Sequence, residues 1–452
     1  MANPLNPLNN SEVARTTAIW SVLIPAAMIM VLTMGSRQVT GLFLSPMNTS
    51  TGIGLAGLSF AVAVGHFVWG ASQPLFGVLA DRFGAVAVMM FGGVLLALGL
   101  GITPLMTGQW GMVFSMGLLT AAGSGAASFA LLFALAAQRL PADKQSFSGG
   151  FINAGGSMGQ FLLAPITERL IALTGWMNAT YALAAASLLT LPLVWSLRER
   201  KSKTQSLAID KSRLVADPKL EPKTEPKPKD PPGALKAQLK TAFTNRSYLL
   251  LHIGFFTCGF HVAFLITHLP GEVALCGLPA TVSGYSIALI GLANIVGALG
   301  AGSLGSRYRL KDLLFWIYWA RALIIIAYML APKVPLTFYM FSIGLGLTFL
   351  ATVGPTAGLV GKLFGVRYLA TLFGFTLLSH QIGGFLGALL GGLAVVNLGS
   401  YNLLWYADAL LALIAALVHM PIKEARPGSP GALAASSATA AAPAQAGKQA
   451  NG

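Results

Sequence analysis

The chain has 452 residues, 55% of them hydrophobic and only 10% charged, with a formal net charge of +15. Soluble domains carry about 25% charged residues, so this composition excludes a soluble enzyme. The excess of Lys and Arg then bears on membrane orientation, not on nucleic acid.

Apolar stretches of about 20 residues, each long enough to cross about 30 Å of hydrocarbon as a helix, recur twelve times. They lie near residues 17–43, 53–80, 85–105, 110–138, 147–172 and 176–197, and then near 248–270, 281–304, 312–331, 335–361, 369–395 and 401–421. The expected fold is an all-α membrane protein with twelve transmembrane helices. A polar segment over residues 1–15 precedes helix 1, which is too long for the apolar core of a cleavable signal peptide. Two six-helix bundles, 16–197 and 247–422, flank a hydrophilic linker over 198–246. Within that linker Pro stands at nearly every other position from Pro222 to Pro232, which removes helix hydrogen bonds and favours extended chain. The tail over 423–452, rich in Ala, Ser, Pro and Gly, is expected to be disordered.

Basic residues gather in alternate loops: Arg82, Arg139 with Lys144, the 198–246 segment, Arg307 with Arg309 and Lys311, and Lys362 with Arg367. The other loops hold little beyond Arg169 and Lys333. By the positive-inside rule the first set is cytoplasmic, which places both termini there. The expected location is the cell's inner membrane. Cys258 falls in helix 7 and Cys276 in the loop after it, too far apart along a helix for a disulfide.

The two bundles repeat one another at an offset of about 225 residues. Gly35 answers Gly259, Arg37 answers His261, Pro46 answers Pro270, Gly77 answers Gly302, Gly149 answers Gly374, Gly159 answers Gly384 and Trp176 answers Tyr401. Such parallel repeats place a substrate site where the halves meet, near the midplane.

An ionised side chain in hydrocarbon costs roughly 3 kcal/mol or more, so each one is a functional candidate. Helix 1 presents Thr33, Arg37 and Thr40 at i, i+4 and i+7, one helical face, and helix 7 presents Thr257, His261, Phe264 and His268 at the equivalent spacing. Arg37 is charged at any relevant pH and its planar fork suits a carboxylate, so it is the expected anion anchor. Its alternative is an Arg snorkelling to the headgroups. His261 and His380 are candidates both for holding substrate and for taking up a coupled proton, with Asp408 in helix 12 as a further proton site. Gln381 and Asn153 complete the candidate substrate set. His66 with Gln73, and Asn153 with Gln160, also read as ordinary bonds between helices. Arg321 in helix 9 and Asp408 have the depth for an ion pair. No metal cluster, nucleophile triad or phosphate-cradling loop stands out, so neither a cofactor nor an enzymatic activity is expected.

Between helices 2 and 3 stands Gly77-Val78-Leu79-Ala80-Asp81-Arg82-Phe83-Gly84. It resembles the G-x-L-A-D-R-x-G loop of the major facilitator superfamily, which implies two pseudo-symmetric six-helix bundles and a gating role for Gly77, Asp81, Arg82 and Gly84. The second half holds Gly302-Ser303-Leu304-Gly305-Ser306-Arg307, a copy without the acid. Arg139-Leu140-Pro141-Ala142-Asp143-Lys144, Ser148-Gly149-Gly150, Ala154-Gly155, Pro165 and Gly175-Trp176 are similar to the helix 4 to 5 region of the monocarboxylate porter and oxalate:formate antiporter group. That resemblance implies an essential Arg in helix 8 and an essential Lys in helix 11. Here helix 8 has no basic residue before its end, and His380 stands where the Lys is expected.

The expectation is therefore a secondary transporter of small organic anions, monocarboxylates first, working by alternating access with proton symport or anion exchange. Its partners are the anion, a proton or counter-anion, and membrane lipid, with no nucleic acid and a monomeric state. Efflux of a drug or metabolite, or a non-transporting sensor, are the alternatives on the same scaffold.

Overall fold

The computed structural model describes residues 7–140, 145–198, 234–365 and 368–424, with side chains described at all of these except 7–18, 81, 137–138, 145–147, 234 and 370. The tail from 425 and the linker as far as 233 lie outside the described residues, so the expectations for them stand as they were. The described chain is helical throughout. We label the transmembrane helices α1 to α12 in chain order.

In the first half α1 is Pro7–Gln38, continued after a turn by Gly41–Thr51, and α2 is Leu55–Phe83. α3 is Ala85–Ile102, and α4 runs from Gln109 to Arg139 with an interruption at Ala127 and Ser128. In the second half α7 is Arg246–Leu275, α8 Ala280–Gly305 and α9 Leu310–Leu330, while α10 is split into Pro335–Thr348 and Val353–Phe364. α11 is Leu369–Leu398 and α12 Asn402–His419. Inside the expected linker the structure adds a short helix, Ala234–Thr244, and α1 starts at Pro7, earlier than the polar composition of 1–15 implied.

Eleven helical stretches are long and apolar enough to span a membrane, but one of them, Ser148–Ser196, has 49 residues. At 1.5 Å per residue that is about 70 Å, twice what one crossing needs. Gly175 divides it: its φ of 81° and ψ of 164° are not helical and belong to a region that glycine enters without a Cβ penalty. The packing shows that the chain reverses there. Along α1, Ala27, Val31 and Gly35 meet Gly155, Gly159 and Leu163, so the segment before Gly175 runs parallel to α1. Along α3, Gly93 meets Thr190 and Gly101 meets Ala184, so the segment after it runs antiparallel to α3. These two segments are α5 and α6, and the total is twelve crossings.

The repeat is visible in packing as well as in sequence. In the first half α1 crosses α5 where Gly35 faces Gly159, and in the second α7 crosses α11 where Gly259 faces Gly384. The aromatic pair that opens the last helix of each half, Trp176 and Tyr401, is buried on both sides. The interruption of α4 at Ala127 and Ser128 has its counterpart in α10, between Thr348 and Val353.

The halves meet through α2 against α11 and α5 against α8. Phe60 lies edge-on to Phe385 at 6.3 Å, Gln160 Nε2 donates to the Ile287 carbonyl at 3.1 Å, and Asn294 Nδ2 donates to Ser157 Oγ at 2.8 Å. Away from the basic loops, Gly41 presses on the carbonyls of Ile266 and Thr267, and Gly392 on Ser59. Gly77 and Gly302, near the ends of α2 and α8 that lead into the basic loops, have no neighbour among the described residues within 4 Å of where a Cβ would stand. The interface is thus sealed toward the face opposite the basic one.

On the basic face α2 ends at Phe83, and Gly84 turns the chain with φ 88°. Arg82 is exposed, with its guanidinium 5.3 Å from the Phe83 ring. The Asp81 side chain lies outside the described residues. The second copy, which lacks that acid, receives one from elsewhere. Glu424 accepts from the backbone N–H groups of Leu310 at 3.0 Å and Lys311 at 2.8 Å, and from Lys362 Nζ at 2.7 Å. A carboxylate on the first amides of α9 satisfies orphan donors and faces the positive end of the helix dipole.

Candidate functional site: a caged arginine and a buried charge cluster

Arg37 lies in the last turn of α1's first segment, half-buried. Its Nη2 donates to His66 Nδ1 on α2 at 2.7 Å, and its guanidinium carbon sits 4.4 Å from the centre of the Trp69 ring, also on α2. Arg has only donors, so His66 accepts at Nδ1 and carries its proton on Nε2. Burial against an imidazole and an aromatic face removes the snorkelling alternative. Among the described residues the ion pairs are His261 with Asp408, Arg309 with Asp312 and Lys362 with Glu424, so no carboxylate partners Arg37. A guanidinium taken out of water with neutral partners alone is a site short of one negative charge.

Arg37 and His66 border a cavity of about 60 Å³, lined also by Ser36, Thr40, Thr103 and Ser124, by Met47, Leu100 and Leu183, and closed over by Ile266 and Thr267 of α7. That is room for about four waters. Four of the hydroxyls around it already donate along their own helices: Ser36 to Leu32, Thr40 to Arg37, Thr103 to Gly99 and Ser124 to Ala121. Thr267 Oγ1 has no such partner, so donors for an anion come from Arg37, His66 Nε2–H and the Thr267 hydroxyl. Thr33, expected beside Arg37, is fully buried with its hydroxyl tied to Ile29. It does not border the cavity.

His380 and Gln381 on α11 face the same region from the other half. The Gln381 side chain packs on Gly70 of α2, one helical turn below His66, and Gly384 packs on the His66 Cβ. His380 lies 4.9 Å from the Phe255 ring, centre to centre, with Gln381 Nε2 at 3.4 Å from its Nδ1. Asn153 on α5 is half-buried, one turn before Ser157. The sequence reading gave His66 a packing role and overlooked Trp69. The signal was present: His66, Trp69 and Gln73 are spaced i, i+3 and i+7, one face of α2.

His261 does not look across at Arg37, although the repeat pairs them. It turns into the second bundle, where its Nδ1 lies 2.5 Å from Asp408 Oδ2 on α12, both side chains fully buried. The expected pair between Arg321 and Asp408 is absent. Arg321, also fully buried, reaches the Thr348 and Phe349 carbonyls at the break in α10. These are the last carbonyls of a helix segment, without intrahelical partners and at the negative end of its dipole, so they compete for the guanidinium.

His268 Nε2 donates to the Ala388 carbonyl at 2.7 Å and so joins α7 to α11. Two further acids, Glu168 and Glu272, are buried besides Asp408. Glu272 accepts from the Tyr328 hydroxyl at 2.9 Å. Lys333 lies over the Tyr328 ring at 3.6 Å, its ammonium depressed by burial while the Glu272 carboxylate acts in the opposite direction. No group of three or more His, Cys, Asp or Glu able to hold a metal occurs among the described residues.

The family model described as Major Facilitator Superfamily matches residues 26–388. The oxalate:formate antiporter of Oxalobacter formigenes is 26% identical over 179 residues, 37% of this chain and 40% of the antiporter. Monocarboxylate transporter 13 of Rattus norvegicus is 22% identical over 391 residues, 85% of this chain and 84% of that protein. Among solved structures, a D-xylose-proton symporter superposes with a TM-score of 0.71 at 15% identity, covering 90% of this chain and 98% of the other. An inward open conformation of the xylose transporter XylE from E. coli gives 0.67 at 14% identity, covering 93% and 99%.

Proposed function

Because the chain belongs to the Major Facilitator Superfamily, and is thus a membrane transporter and not an enzyme, we propose that it carries small organic anions, monocarboxylates first, by alternating access. The observation that supports this reading is Arg37: a guanidinium caged by His66 and Trp69, facing a cavity, with no carboxylate partner among the described residues. The substrate carboxylate completes the charge balance at Arg37 and takes a second hydrogen bond from His66 Nε2–H. Its short apolar part lies against Met47, Leu100 and Leu183. A cavity of about 60 Å³ fits a small anion.

His380, Gln381 and Asn153 bound the path by which the anion leaves toward the basic face. There Gly77, Asp81, Arg82 and Gly84 form the gate. With the basic loops inside, the protein sits in the cell's inner membrane as a monomer, both termini cytoplasmic, and the conformation described is sealed on the outside. The coupling partner is a proton or a counter-anion. The names of two relatives, an oxalate:formate antiporter and a monocarboxylate transporter, agree with the anion chemistry.

Counterflow of labelled formate, lactate and oxalate in proteoliposomes tests the reading. Exchange of a monocarboxylate that Arg37→Ala abolishes is expected. Exchange of D-xylose with indifference to all three acids would overturn it.

A further inference from the structure

Four unpartnered polar atoms lie buried around one point of the second bundle: Asp408 Oδ1, His261 Nε2, and Arg321 Nε and Nη1. Leaving such atoms without partners is costly in a dry interior, and three titratable or charged side chains on three helices make it unlike a packing contact. With His261 neutral, the Asp408 carboxylate and the Arg321 guanidinium cancel, and the cluster is electroneutral. One more proton makes it +1, which low dielectric penalises unless a negative charge arrives nearby.

That negative charge has a place. The backbone of His380 on α11 packs against Gly259 of α7, two residues before His261, so His380 stands between the cluster and the anion site. The other charged group acting on His261 is Arg321 from α9.

We propose that the His261–Asp408 pair is the proton-binding site of this transporter, separate from the anion site and linked to it by charge balance, with Arg321 as its positioning residue at the break in α10. The proton adds at Asp408 Oδ1 or His261 Nε2, arriving from water on one side and leaving to water on the other, and no covalent step is involved. The break in α10 is the mechanical link. Its carbonyls hold Arg321, Thr352 Oγ1 meets Cys258 Sγ at 3.1 Å, and Leu350 N–H donates to Asn294 Oδ1 at 3.0 Å. Asn294 in turn donates to Ser157 in the other half. A change of charge at the pair is thereby felt by a contact that must open and close during transport.

The inference rests on the anion-transport reading, so the experiment has two arms. In proteoliposomes, an inward proton gradient of one pH unit should sustain about tenfold accumulation of labelled lactate for one proton per anion, after subtraction of entry into protein-free vesicles. Asp408→Asn should collapse that accumulation while retaining lactate-for-lactate exchange at equal pH. Accumulation surviving in Asp408→Asn would overturn the site.

The second arm needs no substrate. Infrared difference spectra of the purified protein on acidification should show a buried carboxyl or imidazole signal that Asp408→Asn removes. In His261→Gln the pH at which the signal appears should shift, because the two groups titrate as one pair. A signal unchanged in both variants overturns the proposal even if lactate is carried. A signal behaving as expected with no lactate flux upholds the proton site and refutes the lactate reading alone.

Discussion

Arg37 and His261 occupy equivalent places in the repeat, yet one faces the interface and the other the interior of its bundle. The difference comes from their partners: α2 offers Arg37 an imidazole and an indole face, whereas α12 offers His261 a carboxylate. If Arg37 anchors the anion, Arg37→Ala removes a charge-assisted pair worth about 1.5 to 3 kcal/mol, or roughly 10- to 150-fold in affinity. Arg37→Lys keeps the charge but loses the fork and should weaken binding less. His66→Phe should also lower affinity, since it removes both the bond that orients Arg37 and the Nε2 donor. Competition of labelled formate or lactate binding by scintillation proximity measures all three. Affinity within a factor of two of wild type in Arg37→Ala would show that the anion binds elsewhere. Sequence spacing singled out Arg37, His380 and Gln381 as candidates because intramembrane polar residues are few. It could not disclose which neighbour each one takes: Asp408 had two cations at suitable depth, and only the orphan carbonyls at the α10 break decide for Arg321.

At the scale of elements, helix positions were legible from hydrophobic runs, and interruptions within them were not. α4 read as a continuous apolar stretch because Ala127 and Ser128 carry no proline or charge to mark its break, whereas in α10 Gly354-Pro355, in the first turn after the break, was a signal that the hydrophobic run obscured. Gly175 was legible as part of a motif, and its positive φ explains why that glycine ends α5. Glycines at the helix crossings allow a sharper test. A Cβ at Gly159 would meet the backbone of Val31 at 2.8 Å, whereas one at Gly384, its counterpart in the repeat, would meet Gly259 at an ordinary 3.6 Å. Gly159→Ala should therefore destabilise the protein by about 1 to 3 kcal/mol through overpacking, visible as a lower melting temperature of the detergent-solubilised protein. Gly384→Ala should melt within a degree or two of wild type. Equal loss in both would mean that the α1 and α7 crossings are packed alike.

For the whole molecule, the repeat implies two equivalent halves, and the chemistry is divided between them unequally: a cation with no carboxylate partner among the described residues in the first, a buried acid, imidazole and guanidinium in the second. Division of this kind suits the proposed coupling, because a proton added in the second half and an anion bound in the first offset each other's charge. In the conformation described, the seal is made where Gly41 presses on the carbonyls of Ile266 and Thr267, above the cavity those two residues close. Backbone carbonyls cannot be displaced as a flexible side-chain end can, so Gly41→Val should forbid this seal and favour the state open on the opposite face. Transport needs both states, so lactate counterflow should fall steeply while lactate binding persists. Accessibility reports the shift directly. A Thr267→Cys substitution in a Cys276→Ser background, with Cys258 buried, should label slowly with an impermeant maleimide from the face opposite the basic loops, and much faster once Gly41→Val is added. Slow labelling and normal counterflow in the combined variant would show that the Gly41 contact is not the seal.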